Sequence, residues 1–186
     1  FQYTIDLYRW QYADWVINYQ SGFVRRGLPG EVIYKFSNLF YKNIQISFFI
    51  VLSLVTLGYY YLNYLYFKNL KFNLIFILLF ISPWFILFSI FDQKIGIRKE
   101  VLFYIYFLWL LLDLKYHKYQ GDHIWKFIFF FPILLLAHEG IFFFIGYIIS
   151  SIIIFADKKN KNQIFIQILS LLVISILTEL ILYNFK

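Results

Sequence analysis

The 29-residue stretch FIFFFPILLLAHEGIFFFIGYIISSIIIF, residues 127–155, decides how this chain is organised. Its apolar run is interrupted at His138, Glu139 and Gly140, and its length suits either one tilted membrane helix or two shorter helices meeting at that interruption. The cationic residues choose between them. One tilted span puts 11 of the 17 Lys and Arg on the side of residues 1–43. A split leaves 9 against 8, yet it gathers the eight positive charges of the short loops at 68–71, 113–126 and 157–163 on one face, and short loops orient membrane proteins. The split is therefore the expected arrangement. It makes that face cytoplasmic and puts residues 22–31, 92–100 and 138–139 together on the extracytoplasmic side.

The composition agrees with a membrane setting. Of 186 residues, 62% are hydrophobic, 25% aromatic and only 15% charged, and the mean hydropathy is +0.69. Water-soluble domains are near half apolar and a quarter charged, so a soluble globule is excluded. The net charge of +7 lies in short patches between apolar runs, which points to anionic headgroups or a lipid-linked phosphate and away from nucleic acid. With no Cys there is no disulfide, thiol nucleophile or Cys-ligated metal. With no Met, residue 1 is not a translation start, and the sequence reads as part of a longer chain with an anchoring helix upstream. Asp6, Arg9 and Asp14 among the first residues do not make a signal peptide.

The expected fold class is all-α: a polytopic transmembrane bundle over residues 44–186, with five or six membrane segments, preceded by an interfacial loop of amphipathic helices over residues 1–43. In that loop Ile5, Tyr8, Tyr12, Trp15 and Val16 recur at helical spacing opposite Asp6 and Asp14, with rings suited to the headgroup level. Gly22, Gly27, Pro29 and Gly30 break the helix. Pro29 opens a second one, with Glu31 at its positive end and Val32, Ile33, Phe36, Leu39 and Phe40 as its stripe. Spans are expected at Ile44–Phe67, at Phe72–Phe91 with a kink at Pro83, over the short run 101–112, across the split 127–155, and at 164–183. Residues 113–126 read as an aqueous loop with solvated His117 and His123.

Three strings carry chemistry. DWVINYQSGFVRRGLPGE, residues 14–31, offers Arg25 and Arg26 on a Gly-bounded loop, where two always-charged forks can meet a phosphate or else anchor the segment to headgroups. DQKIGIRKE, residues 92–100, brings Asp92, Lys94, Arg98, Lys99 and Glu100 between two apolar runs, as a binding rim or a solvated turn. His138-Glu139 sits where ionisable groups cost several kcal/mol unless paired or wetted. It is either an acid–base pair or a packing pair bonded to hydroxyls or to an Arg. His-Glu-Gly-Ile-Phe lacks the second His of a zinc protease. There is no nucleophile elbow, P-loop, dinucleotide fingerprint or Asp-x-Asp pair, so neither a metal nor a cofactor is expected. Glu179, in the last span, is expected to pair within the bundle or with a part of the protein outside this sequence.

Through these strings the sequence resembles uncharacterised polytopic proteins of bacterial surface-polysaccharide clusters. More loosely it resembles the GT-C glycosyltransferases and O-antigen polymerases, which use polyprenyl-linked sugars. The resemblance implies a multi-pass protein of the cytoplasmic (inner) membrane, meeting the lipid bilayer and a polyprenyl-(pyro)phosphate-linked sugar. It implies metal-independent inverting transfer. Arg98 would match by location an Arg that holds the lipid pyrophosphate, aided by Arg25, Arg26, Asp92 and Glu100. Asp14 would match an acidic first-loop base, the residues' own reading offering His138 with Glu139 for that role. Two other readings stand beside it: a transporter or flippase subunit whose charges line a lipid-head pathway, and a membrane acyltransferase using His138.

Overall fold

The computed structural model describes residues 9–40, 43–68, 98–117, 121–155 and 161–184. The described residues are all-helical, with no strand among them: α1 (Arg9–Val16), α2 (Leu28–Leu39), α3 (Ile44–Phe67), α4 (Glu100–His117), α5 (Gly121–Ala137), a 3-10 segment (Glu139–Phe144), α6 (Ile145–Phe155) and α7 (Lys161–Asn184). The expected span 72–91 with Pro83, the residues 92–97 that include Asp92, and Ile5, Asp6 and Tyr8 lie outside the described residues.

Helix α3 begins where the Asn43 side chain accepts the Gln45 N–H at 2.8 Å, satisfying a donor that a helix start leaves open. It covers the 24 residues its uncharged run predicts. Helix α4 is longer than expected. Its 18 residues carry on through Asp113 to His117, into the expected loop, because Asp113 is buried against Lys126 of α5. His123, expected in solvent, lies 4.0 Å from the same carboxylate.

Helices α4 and α5 run antiparallel. Asp113 meets Lys126 at one end, Trp109 and Tyr106 pack on Phe127 in between, and Glu100 faces His138 at the other end. Helix α6 runs parallel to α4, since Phe103 stacks on Phe144 at 4.8 Å and Phe107 meets Tyr147 at 6.0 Å. The chain therefore reverses between α5 and α6, at the interruption that divides residues 127–155. The reversal has a local cause: His138 is extended, and its Nδ1 accepts the Gly140 N–H at 2.9 Å, capping the 3-10 turn. Pro132 lies inside α5 and offers no N–H to the Ile128 carbonyl one turn back. Beside it, the Tyr106 hydroxyl donates to the Phe127 carbonyl at 2.9 Å.

Helix α3 is parallel to α4, with Tyr59 against Tyr104 and the Lys115 ammonium on the Tyr66 carbonyl at 3.2 Å. The main core joins α4, α5, α6 and α7 through Phe103, Phe131, Leu135, Ile148 and Leu171. A smaller core joins Trp15 of α1, Ile33 of α2, Phe48 of α3 and Val101 of α4. Trp15 is thus inside the protein and not at headgroup level as its spacing predicts. Helix α2 is also turned from the expected stripe: it buries Pro29, Gly30, Ile33 and Ser37, while Val32, Leu39 and Phe40 are exposed. The reason is the close crossing of α1 and α2, where Pro29-Gly30 meets the Val16–Ile17 backbone.

Among the described residues, two helices, α3 and α7, are long and apolar enough to cross a membrane. At 1.5 Å per residue each spans about 36 Å. Their outer faces carry exposed Leu54, Leu57 and Tyr61 on α3 and Phe165, Ile176 and Leu180 on α7. Apolar patches of this extent mark a membrane or a partner surface.

A Cβ on Gly30 would stand 1.9 Å from the Ile17 carbonyl oxygen, which is backbone and cannot swing aside. Gly30→Ala should therefore prise α2 from α1 and lower unfolding stability by about 1–3 kcal/mol, the range of overpacked cores, in a thermal melt in detergent.

Candidate functional site

Four separated segments supply ionisable side chains to one end of the bundle: α1, the loop 17–27, the start of α4, and the turn between α5 and α6. The loop is shaped first. Asn18 accepts the Gln20 N–H at 3.1 Å, Gly22 turns back with φ +118°, and Tyr19 stacks on Phe23 at 5.2 Å. Glu31 of α2 closes it, accepting from the Tyr19 N–H at 3.2 Å and from the Gln20 amide at 3.1 Å. The loop ends on Arg26 in the left-handed region, φ +64°, a conformation that a long side chain adopts only when its surroundings hold it there.

What holds it is Lys99, at the start of α4. The Lys99 side chain is fully buried; its ammonium donates to the Arg26 carbonyl at 2.8 Å and stands 3.5 Å from Asp14 Oδ1. Burial pushes the Lys99 ammonium below its usual range, and Asp14 opposes that shift. With its backbone fixed, Arg26 turns its guanidinium onto Glu139. Nε donates to Oε2 at 2.7 Å and Nη2 to Oε1 at 2.6 Å, a bidentate fork between residues 113 positions apart. Nη1 stays 3.9 Å from Asp14. Burial acts to raise the Glu139 pKa, but the Arg26 hydrogen bond and charge outweigh it and hold the carboxyl below its usual range.

His138 has a different role from the expected base. Its Nδ1 lone pair is taken by the Gly140 N–H, so the neutral ring carries its proton on Nε2, 3.8 Å from Glu100 Oε1. The ring is therefore a cap and a donor; taking a proton at Nδ1 would cost the cap. Glu139, expected to assist His138, is hydrogen-bonded by Arg26. Glu100 makes no hydrogen bond to a cation among the described residues.

Of the other expected site residues, Arg25 is half-buried and lies within electrostatic reach of Glu179 of α7. Arg98 forms no ion pair with a described residue, and its Nε is buried without a hydrogen-bond partner among them. The Glu179 Oε1 is buried and has no hydrogen-bond partner among the described residues. Asp92 lies outside the described residues. Among the described residues no three His, Asp and Glu side chains are grouped to hold a metal ion. Lys99 is the residue sequence reasoning passed over: it was one charge among the five of residues 92–100, and only its position immediately before an apolar helix hinted at burial.

No family model, curated protein or solved structure matches the chain.

The lowered Glu139 pKa makes the Arg26 pair pH-sensitive. Above the usual carboxyl value of 4.5 the pair contributes in full, and as pH falls from there through the folded-state value the unfolded chain binds the extra proton. Melting temperature should therefore drop on acidification below 4.5. The drop should be smaller in Glu139→Gln, which has no proton to gain.

Proposed function

We propose that the chain is a multi-pass protein of the cytoplasmic membrane whose polar end receives a phosphate-bearing lipid-linked sugar and transfers that sugar to an acceptor hydroxyl. The observation that carries this reading is the meeting of Asp14, Arg26, Lys99, Glu100, His138 and Glu139 at one end of the helices. Groups so costly to bring out of water persist where they serve a substrate. Arg25, Arg26 and Arg98 supply the charge that offsets a departing pyrophosphate. Glu100, a carboxylate at the site with no bonded cation among the described residues and faced by the His138 Nε2–H, takes the acceptor proton as the sugar carbon bonds to the acceptor oxygen and its bond to phosphate breaks. Asp14, paired with Lys99, orients that cation; it is the second choice as base. The short-loop lysines at 68–71, 113–126 and 157–163 orient their end to the cytoplasm, so the site faces outward.

A flippase-type reading has its own support. The inner side of α7 buries Gln167, Ser175 and the Glu179 Oε1, a polar line down a span of the kind a lipid head could follow.

Orientation is tested with single cysteines in this Cys-free chain. Ser21→Cys should label from outside with an impermeant thiol reagent and Asn162→Cys only after the membrane is opened; external labelling at 162 refutes the orientation. For activity, the protein in proteoliposomes with a polyprenyl-pyrophosphate sugar and a hydroxyl-bearing acceptor glycan should join the sugar to the acceptor and leave polyprenyl pyrophosphate in the bilayer. Glu100→Gln should lower kcat by roughly 10² or more while leaving substrate binding near wild type. Movement of the intact lipid across the bilayer, with no bond cleaved, would favour the flippase.

A further inference from the structure

We propose that Glu139 is a place-holder: in the resting protein its carboxylate occupies the Arg26 fork that a substrate phosphate takes, and phosphate binding displaces it. This rests on the reading that the polar end receives a phosphate, and goes beyond it by saying what stands there first.

The geometry separates the side chain of Arg26 from the tasks that hold the loop. The loop is closed by Glu31 on Tyr19 and Gln20 and by the packing of Gly30 on Ile17. The Arg26 backbone is held by the Lys99 ammonium on its carbonyl. None of these contacts uses the guanidinium. Its fork can therefore change partner without the loop moving, and at 37% exposure it is reachable from solvent. A carboxylate and a phosphate offer the same two oxygens to a planar fork, so one can replace the other with both N–H bonds remade. Nη1, 3.9 Å from Asp14, has no hydrogen bond to it at that distance, so among the described residues it is open to a third phosphate oxygen. The carboxylate holds the charge of Arg26 while no ligand is bound, sparing a half-buried cation the loss of its partner. The device also selects: an anion must offer two oxygens and more negative charge than Glu139 to win the fork, which phosphate esters do and a chloride ion does not.

The experiment measures anion binding to the full chain in nanodiscs by titration calorimetry, with pyrophosphate as the soluble probe and polyprenyl phosphate in the bilayer as the lipid probe. Removing the competitor should tighten binding: Glu139→Gln should bind about tenfold or more tightly than wild type, since it gives up a charge-assisted bidentate pair. Arg26→Ala should weaken binding by a similar factor, and adding Glu139→Gln to Arg26→Ala should change nothing further, because the competitor acts through that one fork. If Glu139→Gln does not fold, Glu139→Asp, whose shorter side chain spoils the fork but keeps the charge, should also tighten binding. Unchanged or weaker binding in both Glu139 variants, or equal tightening with and without Arg26, overturns the place-holder. Tightening for the lipid probe alone identifies a lipid headgroup as the ligand, and tightening for both identifies the phosphate itself. Tight binding with no sugar transfer by the wild type would leave the place-holder standing and remove the transferase reading.

Discussion

A fully buried ammonium is the constraint on which the polar end of this molecule depends. Stripping Lys99 of water costs several kcal/mol unless other groups replace the lost hydration. The replacements are the Arg26 carbonyl and the Asp14 carboxylate, which belong to a loop and a helix far earlier in the chain. The N-terminal region therefore has to lie over the start of α4, and it does so by burying Trp15 and Ile33 beside Val101. Once the Arg26 backbone is set in its left-handed conformation, the side chain is aimed at the turn between α5 and α6. A single desolvated cation thus adds a polar tie between parts of the sequence that the smaller apolar core already brings together.

Much of this was legible from residue order, and the failures share a cause. The helical class, the limits of α3 and the interruption at His138 follow from hydropathy and from where charged residues fall, which are local properties. The segments holding Arg26, Glu100 and Glu139 were also expected to share a side, from the counting of loop lysines. What could not be read was pairing. The expected headgroup position of Trp15 and the expected stripe of α2 both assumed that an apolar face with no visible partner turns to lipid, whereas α1 and α2 turn to each other and to α3. Asp113 was read as the first residue of a loop because a carboxylate usually ends an apolar run; only Lys126, on the next helix, explains its burial. His138 and Arg98 were weighed by chemical type, but their roles turn on a Gly140 N–H and on partners that no spacing rule encodes.

The two ends of the bundle differ in how they treat charge. At the far end Lys126 rests on Asp113 and lies near the Trp109 and Phe127 rings, while Lys115 caps α3 at Tyr66 and lies over that ring. Those cations lie beside aromatic rings at helix ends, the arrangement of side chains that anchor a helix at an interface. At the site end, Lys99 and Arg26 are turned inward on carboxylates from elsewhere in the sequence.

Pro132 adds a mechanical consequence. The part of α5 beyond it, up to His138, is six residues long, about 9 Å at the rise of an α-helix. It is a short arm beyond the point where the Ile128 carbonyl has no helical donor, with its base held by the Tyr106 hydroxyl on Phe127. Swinging such an arm by about 10° carries its tip by about 1.5 Å, more than the stretch a hydrogen bond of 2.7 Å survives. The tip carries Glu139. A bend in α5 and the grip of Arg26 on the Glu139 carboxylate are therefore coupled, so that a load on α5 bears directly on the fork.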